Sequence, residues 1–341
     1  SVRRRPHIHT YIQRPHPWRR RKEVLIMEIR TVGIVGLGAL GVMYGNRLTE
    51  CLGPEQVYFL ADEERADRYR REGVFCNGKP CHFSYRTPAD AEKLDLIVFA
   101  VKATGLSEAI ETAAPFVGEK TLLLSVLNGI SSERMLKERF GAGNVLYACV
   151  QGMDAGKKEN QVHYQNMGYI SIGHEDGRRD EKLLAVTSLF ERTGLEYRVP
   201  EDILREQWNK LMLNTGVNQV TAIYGGTYSL VQKDGEARTM MIEAMKEVRK
   251  VAESQGISLT DKDIEGWLTL LSGLDPNGRT SMCQDVLAGR KTEVDLFSGT
   301  ILSLAKEAGI QVPVNEYLYE KIRELEDGFD RKTTGEGEQT E

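Results

Sequence analysis

The sequence predicts an α/β domain of the Rossmann type, with a doubly wound and mostly parallel sheet, followed by an all-helical domain. Two observations support this prediction. As far as residue 200, short apolar and β-branched runs alternate with segments of helical periodicity, which is typical of a parallel sheet with crossover helices. Beyond Val199-Pro200 nearly every segment has helical spacing. We therefore place a domain boundary close to residue 200.

The first predicted unit is a strand, a glycine-rich turn, a helix and a second strand. The strands are predicted over 28–35 and 57–61, and the helix between them ends at Gly53. The turn reads "GLGALG" and comprises Gly36, Leu37, Gly38, Ala39, Leu40 and Gly41.

The G-x-G-x-x-G spacing of this turn is a weak signal in a chain with 33 glycines, but its context is specific. A strand directly before the turn and a helix directly after it are what a dinucleotide-binding motif requires. Gly36 permits the tight turn, Gly38 lets the backbone approach a pyrophosphate, and Gly41 lets helix and strand pack closely. The helix N-terminus adds free N–H groups and partial positive charge. All six residues of the turn are therefore predicted to bind a dinucleotide.

Further strands and helices alternate up to the domain boundary. An Asn77-Gly78 pair signals a hairpin. The predicted strands lie at 94–101, 121–126, 145–150, near Val162 and at 169–172, and the predicted helices at 104–114, 131–140 and 181–192. In the second domain the predicted helices lie at 203–223, 235–255, 261–272, 281–288, 294–308 and 318–326, and Thr280 is the expected N-cap of the fourth.

This pattern divides the chain into four segments. Residues 27–200 are predicted to be the NAD(P)-binding domain and 201–327 the helical substrate and catalytic domain, with the active site in the cleft between them. Residues 328–341 are predicted to be a polar tail. Residues 1–26, with arginine blocks, three prolines and no periodicity, are predicted to be a disordered basic extension. Met27 directly precedes the first strand, which favours an upstream extension over a targeting peptide, a nucleic-acid arm or a histidine metal site.

Composition and charge restrict the class of function. A chain of 341 residues, 40% hydrophobic and 28% charged, is long enough for two domains with separate cores. The net charge is −5, but residues 1–26 hold eight Lys and Arg and one Glu, which leaves 37 basic and 49 acidic residues in the remainder. An acidic body argues against nucleic-acid binding, which needs clustered cations. No apolar run approaches the roughly 20 residues that span a bilayer.

The cysteines indicate a reducing compartment and no structural metal. There are five, an odd number, and none of them has C-x-x-C spacing. In a chain of this length they indicate reduced thiols rather than a disulfide framework or a zinc site. We therefore expect a cytoplasmic protein with no metal site, no membrane partner and no nucleic-acid partner.

Two polar residues follow predicted strands of the first domain. Lys102 follows the strand at 94–101, and Asn128 follows the next strand along the chain. Because cofactors bind at the carboxyl ends of parallel strands, both side chains are expected at that edge of the sheet. A plain surface lysine and a turn asparagine are the structural alternatives.

The helical domain holds two more polar groups. Lys210, Asn214 and Asn218 are spaced by four on one face of a predicted helix that is otherwise apolar, which favours contact with a cleft over a surface stripe. The other group is either a set of site residues or a solvated helix face, and it comprises Ser281, Asp285, Arg290, Glu293 and Asp295.

In order and spacing these motifs resemble the ketopantoate reductase (2-dehydropantoate 2-reductase) family. The order is G-x-G-A-x-G, V-K, N-G, W-x-K-L-x-x-N-x-x-x-N and S-M-x-x-D-x-x-x-G-R-x-T-E-x-D, with G-I-x-x-P-x-N at 309–315. The resemblance covers residues 27–326. The segment around Lys210 and the block at 281–295 are its specific parts, because other Rossmann families lack that combination.

The resemblance implies reduction of a small 2-keto acid, ketopantoate, to pantoate by NADPH in the biosynthesis of pantothenate and coenzyme A. It implies that Lys210 is the general acid and that Glu293 is a catalytic carboxylate near Lys210, the substrate and the cofactor ribose. A protonated lysine fits this chemistry because it supplies both a proton and a positive charge to the developing oxyanion. By matching motif, substrate binding falls to Asn128, Asn214, Asn218 and Ser281, and cofactor binding to Lys102, Asn128 and Glu293.

One position departs from the family pattern. The family often has an arginine after the second strand, where it meets the 2′-phosphate of NADPH, whereas this chain has Asp62. An acid at this point favours the free ribose hydroxyls of NADH. Alternatively Asp62 caps the next helix, and Arg65 or Arg68 contacts the phosphate. NADPH is the expected cofactor on family grounds, with NADH left open and Asp62 and Arg65 as predicted cofactor contacts.

Two other functions compete with this expectation. One is a related reductase with the same apparatus that acts on another 2-keto acid. The other is an NAD(P)-binding regulatory protein without turnover, against which the joint presence of Lys210 and Glu293 argues. The oligomeric state is left open, with a homodimer as one option.

Overall fold

The computed structural model describes residues 27–333, with side chains as far as residue 329. The predictions for residues 1–26 and for the end of the polar tail, 334–341, lie outside the described residues. Within the described part, a region that contains all the strands is followed by a region of helices.

The strands form two sheets. The larger sheet has the order β12-β11-β8-β7-β6-β1-β2-β5, and its neighbouring strands are parallel except for β8 and β11. The predicted doubly wound, mostly parallel sheet is therefore confirmed. The strands are β1 (Val32–Val35), β2 (Val57–Leu60), β3 (Phe75–Cys76), β4 (Lys79–Pro80), β5 (Ser84–Arg86), β6 (Leu96–Phe99), β7 (Leu122–Ser125), β8 (Val145–Met153), β9 (Gly156–Lys158), β10 (Gln161–His163), β11 (Met167–Gly173) and β12 (Tyr197–Arg198).

The strand order defines where a ligand can bind. From β5 to β8 the sheet follows the 3-2-1-4-5-6 order of dinucleotide-binding folds, which reverses direction between β1 and β6. These two strands and β7 are buried along their whole length and, apart from Ser125, contain no polar side chain, as expected for a parallel sheet that helices cover on both faces. The crevice at the carboxyl ends of β1 and β6 is therefore the expected ligand site.

The helices cover the sheet and then form the second region, and the predicted all-helical second region is confirmed. Thr280 is the N-cap of α11, as predicted, and its hydroxyl accepts a hydrogen bond from the backbone N–H of Cys283 at 3.2 Å. The helices are α1 (Ala39–Leu52), α2 (Glu63–Glu72), α3 (Leu106–Ala113), α4 (Ser132–Phe140), α5 (Glu181–Thr193), α6 (Ile203–Leu213), α7 (Gln219–Tyr224), α8 (Ser229–Gln232), α9 (Glu236–Ser254), α10 (Asp261–Ser272), α11 (Ser281–Leu287), α12 (Ser298–Ala308) and α13 (Pro313–Thr333).

The smaller sheet has the order β4-β3-β10-β9. Its β3–β4 hairpin turns at Asn77 and Gly78, with φ of 49° and 78°, which matches the predicted Asn-Gly turn. Strand β10 pairs in parallel with β3 although the two strands lie far apart in the chain, and it forms an antiparallel hairpin with β9. The sequence predicts neither this long-range pairing nor the position of the second hairpin.

The predicted continuous helix over 203–223 is wrong in one respect. A π-helical turn, Asn214–Asn218, separates α6 from α7. The side chain of Gln219 donates to the carbonyl of Thr215 at 2.7 Å and thereby satisfies a backbone group in the widened turn. A side chain at Gly216 would lie 2.9 Å from Met245 of α9, so the turn packs closely against that helix.

The largest other differences from the predicted helix ends occur in two segments. The segment at 294–308 begins as a 3₁₀ turn, Val294–Leu296, and only α12 is α-helical. Helix α13 begins at Pro313 and extends to Thr333, beyond the predicted range of 318–326 and into the predicted polar tail. Pro313 fits the start of the helix because its missing N–H would be unpaired there in any case.

Helix α1 lies unusually close to the sheet at Gly45. A Cβ atom at this position would lie 2.3 Å from the ring of Phe59 on β2, and Phe59 is fully buried. By contrast, Gly266 lies on the exposed face of α10, where a Cβ atom would meet nothing within 4 Å. An added side chain is therefore expected to clash at Gly45 and to be accommodated at Gly266.

We predict that Gly45→Ala lowers the free energy of unfolding by about 1–3 kcal/mol, because the added methyl group overpacks the core against Phe59. Gly266→Ala is the matched control and should raise it by roughly 0.5–1 kcal/mol, because alanine is the better helix former. Urea unfolding of the three proteins measures both changes. A Gly45→Ala protein as stable as the Gly266→Ala protein would contradict the close approach.

Candidate active site

A cleft of about 760 Å³ lies at the carboxyl ends of β1 and β6. Its walls come from the glycine turn, from the ends of β6 and β7, from α11 with the segment after it, and from the β8–β9 connection. It is therefore bounded by both regions of the chain, as predicted. The residues from the sequence prediction that line it are Gly36, Leu37, Gly38, Ala39, Leu40, Arg65, Lys102, Asn128, Ser281 and Glu293.

The glycine turn fits a dinucleotide. Gly36 has φ of +110° and a Cβ atom there would lie 2.6 Å from the carbonyl of Ala100, while a Cβ atom on Gly41 would lie 2.0 Å from the carbonyl of Gly36. Packing within the chain thus explains these two glycines. Gly38 lines the cleft, and a Cβ atom there would meet only the Ala100 carbonyl at 3.6 Å, which is an ordinary contact. Its lack of a side chain serves the cleft instead, as close approach of a pyrophosphate requires.

The N-terminus of α1 leaves its backbone donors available to this part of the cleft. Gly38 is the N-cap, no side chain caps the helix, and the first turn contains no acidic residue. The free N–H groups and the helix dipole therefore favour an anion at this position.

Asn128 links two charged residues from the helical region. It follows β7, and its side-chain oxygen accepts a hydrogen bond from Lys210 Nζ at 3.0 Å. Its side-chain nitrogen donates to Glu293 Oε2 at 3.1 Å. The three predicted residues thus form one hydrogen-bonded chain, Lys210 to Asn128 to Glu293. Asn128 and Glu293 line the cleft, whereas Lys210 lies directly behind Asn128.

Lys210 lies in a poorly hydrated environment. Its ammonium group also donates to the backbone carbonyl of Val150 on β8. Burial lowers the pKa of Lys210, and the negative charges that Cys149 and Glu293 can carry oppose this shift. The net result is a lysine that releases its proton more readily than a surface lysine does.

Asn214 and Asn218 are, with Thr215, the buried polar residues of the π-helical turn. They are 7% and 8% exposed, and neither side chain donates or accepts a hydrogen bond within the described part of the chain. The turn packs against α9 and against α11, whose first residue is Ser281. Neither asparagine lines the cleft. Their unpaired amide atoms are not fully buried, so they remain open to hydrogen bonds with a ligand.

Lys102 and Arg290 are held by one carboxylate. Asp285 on α11 accepts from Lys102 Nζ at 3.2 Å and from Arg290 Nε at 2.8 Å, and all three residues line the cleft. The first of these ion pairs joins the end of β6 to the helical region. The sequence identifies Asp285 and Arg290 as polar residues of the block but not their link to Lys102, because the two pairing partners are 183 positions apart.

Asp62 is the N-cap of α2, which agrees with one of the two roles that the sequence predicts for it. Its carboxylate accepts a hydrogen bond from the backbone N–H of Arg65 at 2.7 Å, and it does not line the cleft. Arg65 does line the cleft, and its guanidinium pairs with Glu108 at 2.7 Å and with Asp62 at 3.4 Å. Cofactor binding by Asp62 and Arg65 stays a prediction.

Glu133 is a buried carboxyl group that the sequence analysis misses. It lies on α4, is 1% exposed, and accepts hydrogen bonds from Gln207 at 2.8 Å and from Ser132 at 3.2 Å. Burial raises the pKa of the Glu133 carboxyl to about 7. No sequence signal marks it, because a glutamate in the first turn of a helix is ordinarily exposed.

Protonation of Glu133 makes stability depend on pH. Between pH 4.5, the ordinary pKa of the group, and about pH 7 the folded state keeps the proton that the unfolded state releases, so stability falls as pH rises through this window. We predict that the free energy of unfolding of Glu133→Gln, taken relative to that of the unchanged protein, rises by about 1–3 kcal/mol from pH 5 to pH 8. Urea unfolding at both pH values measures this gain. Glu138→Gln, an exposed position on α4, is the control, and an equal response of both variants would contradict the prediction.

The described residues contain no group of three or more His, Cys, Asp or Glu side chains arranged to hold a metal ion. Among the helices described between residues 27 and 333, none is both long and apolar enough to cross a membrane.

The fold and the cleft define a protein of the dinucleotide-binding fold class. Residues 32–177 match the sequence profile described as "Ketopantoate reductase PanE/ApbA", and residues 202–326 match "Ketopantoate reductase PanE/ApbA C terminal". The two matches together span most of the chain, so the chain belongs to the ketopantoate reductase family.

Individual relatives agree with this family. The 2-dehydropantoate 2-reductase of Pyrococcus horikoshii is 26% identical over 296 residues, which cover 86% of this chain and 96% of that protein. The crystal structure of 2-dehydropantoate 2-reductase from Geobacter metallireducens has a TM-score of 0.77 at 26% identity and covers 86% of this chain and 99% of its own.

Two further structures share the fold at lower identity. D-mandelate dehydrogenase in a ternary structure with NADH and anilino(oxo)acetate has a TM-score of 0.78 at 22% identity and covers 88% of this chain and 99% of its own. A dimeric ketopantoate reductase from Staphylococcus aureus has a TM-score of 0.74 at 20% identity, with the same coverage.

Proposed function

We propose that the protein reduces 2-dehydropantoate to pantoate with NADPH, a step that supplies pantothenate for coenzyme A in the cytoplasm. The observation that supports this proposal most strongly is the chain of Lys210, Asn128 and Glu293 at the cleft that also contains the glycine turn. This chain would bring Lys210, as the proton donor, to the edge of the proposed dinucleotide site. Family membership supports the choice of substrate.

The residues of the glycine turn, Gly36 to Gly41, would hold the pyrophosphate of the cofactor against the N-terminus of α1. The bound cofactor would supply a hydride to the 2-keto carbon of the substrate. The remaining chemistry, a proton for the keto oxygen and the orientation of the substrate, is the work of this chain's own side chains.

Lys210 is the proposed proton donor. As hydride arrives at the carbon, the keto oxygen gains negative charge and needs a proton and a nearby positive group. An ammonium group has three N–H donors, and Lys210 uses two of them on Asn128 and on the Val150 carbonyl. The third is left for the substrate oxygen. The lowered pKa of Lys210 favours proton transfer from it.

Glu293 and Asn128 are proposed to control the protonation and the orientation of the Lys210 side chain. The charge of Glu293 raises the pKa of Lys210 and so opposes premature loss of its proton. Asn128 bonds both residues and fixes the direction of the lysine. Substrate contacts are proposed for Asn214, Asn218, Ser281 and Asn128, whose directional hydrogen bonds suit a hydroxylated keto acid, and cofactor contacts for Lys102, Asn128 and Glu293.

NADPH is the proposed cofactor, with Arg65 as the contact to its 2′-phosphate. Because Arg65 pairs with Glu108 and Asp62, a phosphate would have to compete with two carboxylates. This competition keeps NADH as the alternative, which the D-mandelate dehydrogenase structure with NADH also supports. The dimeric Staphylococcus aureus neighbour supports a homodimer for this chain as well.

A second candidate is reduction of another 2-keto acid by the same residues. D-mandelate dehydrogenase, with nearly the same TM-score as the reductase from Geobacter metallireducens, favours keeping this candidate. An NAD(P)-binding regulatory protein without turnover is the third, and it would bind the cofactor but oxidise none of it with any keto acid. Turnover of each acid in a panel of 2-keto acids, measured as loss of reduced-nicotinamide absorbance, separates the three candidate functions.

We predict that Lys210→Ala lowers kcat for ketopantoate by ~10²–10⁴-fold because it removes the general acid. The measurement is ketopantoate-dependent loss of absorbance with NADPH and, separately, with NADH. Lys250→Ala, an exposed lysine on α9, is the matched control and should keep full activity. Unchanged NADPH affinity would show that Lys210→Ala is folded. Full turnover by that variant would contradict the role proposed for Lys210.

The pH dependence of turnover tests the coupling between Glu293 and Lys210. Since the general acid must be protonated, the reduction rate should fall as pH rises through the pKa of Lys210, below the ordinary lysine value. Glu293→Gln removes a charge that raises this pKa, so the fall should occur at lower pH. The pH profile of kcat in both proteins, with exposed Glu320→Gln as control, checks this shift. A fall at the same pH in all three would contradict the coupling.

A further inference from the structure

The β9–β10 hairpin of the small sheet forms one wall of the cleft. The connection between β8 and β9 and the start of the hairpin, residues 153–159 except Asp154, line the cleft opposite the glycine turn. Lys157 on β9 donates a hydrogen bond from its Nζ to the backbone carbonyl of Leu37 in that turn. The hairpin therefore contacts the glycine turn at the position where the phosphates of a dinucleotide would lie.

Lys157, like its neighbour Lys158, has no carboxylate partner within the described residues, whereas the other cations of the cleft are paired. Lys102 and Arg290 pair with Asp285, and Arg65 pairs with Glu108. Within residues 27–329 Lys157 forms no ion pair. Its charge is thus not neutralised by the chain, and it faces the end of α1 whose free N–H groups also favour an anion.

A further unpaired cation, from another element, lies near Lys157. Arg68 on α2 contacts the ring of Tyr69 and likewise forms no ion pair with a described carboxylate. Loss of hydration lowers the pKa of Lys157, and the positive charge of Arg68 lowers it further. Two neighbouring cations that repel each other are stabilised by an anion bound beside them.

We propose that Lys157 binds a phosphate of the dinucleotide and holds it between the β9–β10 hairpin and the glycine turn. This inference rests on the proposed function, because it presupposes dinucleotide binding. The N-terminus of α1 would contact the phosphate from one side and Lys157 from the other. Lysine has three donors, so it can keep its bond to Leu37 while it donates to a phosphate oxygen.

Two phosphates share this chemistry. The pyrophosphate is common to NADPH and NADH, whereas the 2′-phosphate occurs only in NADPH. Binding of each cofactor to the full-length protein, without any keto acid, separates them. Lys157→Met removes the charge and keeps the length of the side chain, and we expect it to raise the Kd about tenfold or more, as loss of a charge-assisted hydrogen bond does.

The outcomes of the titration, followed by nicotinamide fluorescence, are distinct. A similar rise in Kd for both cofactors assigns Lys157 to the pyrophosphate, which the N-terminus of α1 would also contact. A rise confined to NADPH assigns it to the 2′-phosphate, away from α1, and overturns the proposed position. An unchanged Kd for both cofactors overturns the proposal. Lys79→Met is the matched control, since it removes the same charge from the same sheet at a position outside the cleft, and it should leave both Kd values unchanged.

A purely structural role for Lys157 is tested separately. Lys157→Arg keeps the charge and should restore most of the lost affinity, while the melting temperature of Lys157→Met should stay within a few degrees of the unchanged protein. A loss of affinity that arginine does not restore overturns the proposal. Failure of the proposed function looks different, because the unchanged protein would then bind cofactor with normal dependence on Lys157 but would not reduce ketopantoate.

Discussion

The position of the proposed catalytic residues depends on the way α6 is held against β8. Strand β7 pairs with β8 only as far as Leu146. Beyond that point the carbonyls of Ala148 and Val150 accept hydrogen bonds from Gln207 and Lys210 on α6. Side chains of the helix thus satisfy strand carbonyls where the neighbouring strand has ended. Because an unpaired buried carbonyl is costly, this match fixes the register of the helix on the strand and with it the position of Lys210.

The same junction explains why an amide stands at position 128. Its oxygen accepts from Lys210 and its nitrogen donates to Glu293, so both ends of the group are used. A carboxylate in its place has no donor for Glu293, and an ammonium has no acceptor for the lysine. Glu133 adds a further polar contact across the junction, because it accepts from Gln207 one helical turn before Lys210. The site is therefore assembled at the contact between the two regions.

Local patterns in the sequence predict much of the fold and of the glycine turn. The apolar runs of β1, β6 and β7 and the Asn77-Gly78 turn depend on neighbours in the chain, and for this reason they are predictable. The pairing of β3 with β10, the ion pair of Lys102 with Asp285 and the contact of Lys157 with Leu37 join residues far apart in the chain. No local signal specifies them. The resemblance to a family predicts Lys210, Asn128 and Glu293, but the hydrogen bonds that connect them come only from three-dimensional structure.

The π-helical turn between α6 and α7 makes the site sensitive to the length of this segment. A π turn contains about one residue more than an α turn, so loss of one residue from 214–218 would convert it into regular α-helix. A turn of either kind closes through a full circle, so α6 and Lys210 would keep their direction relative to α7. The widened turn that carries Asn214 and Asn218 would be lost while the helix itself remained intact. A one-residue gap at this point in a related chain would therefore mark a protein that keeps the fold and the direction of the lysine but loses this arrangement of the two asparagines.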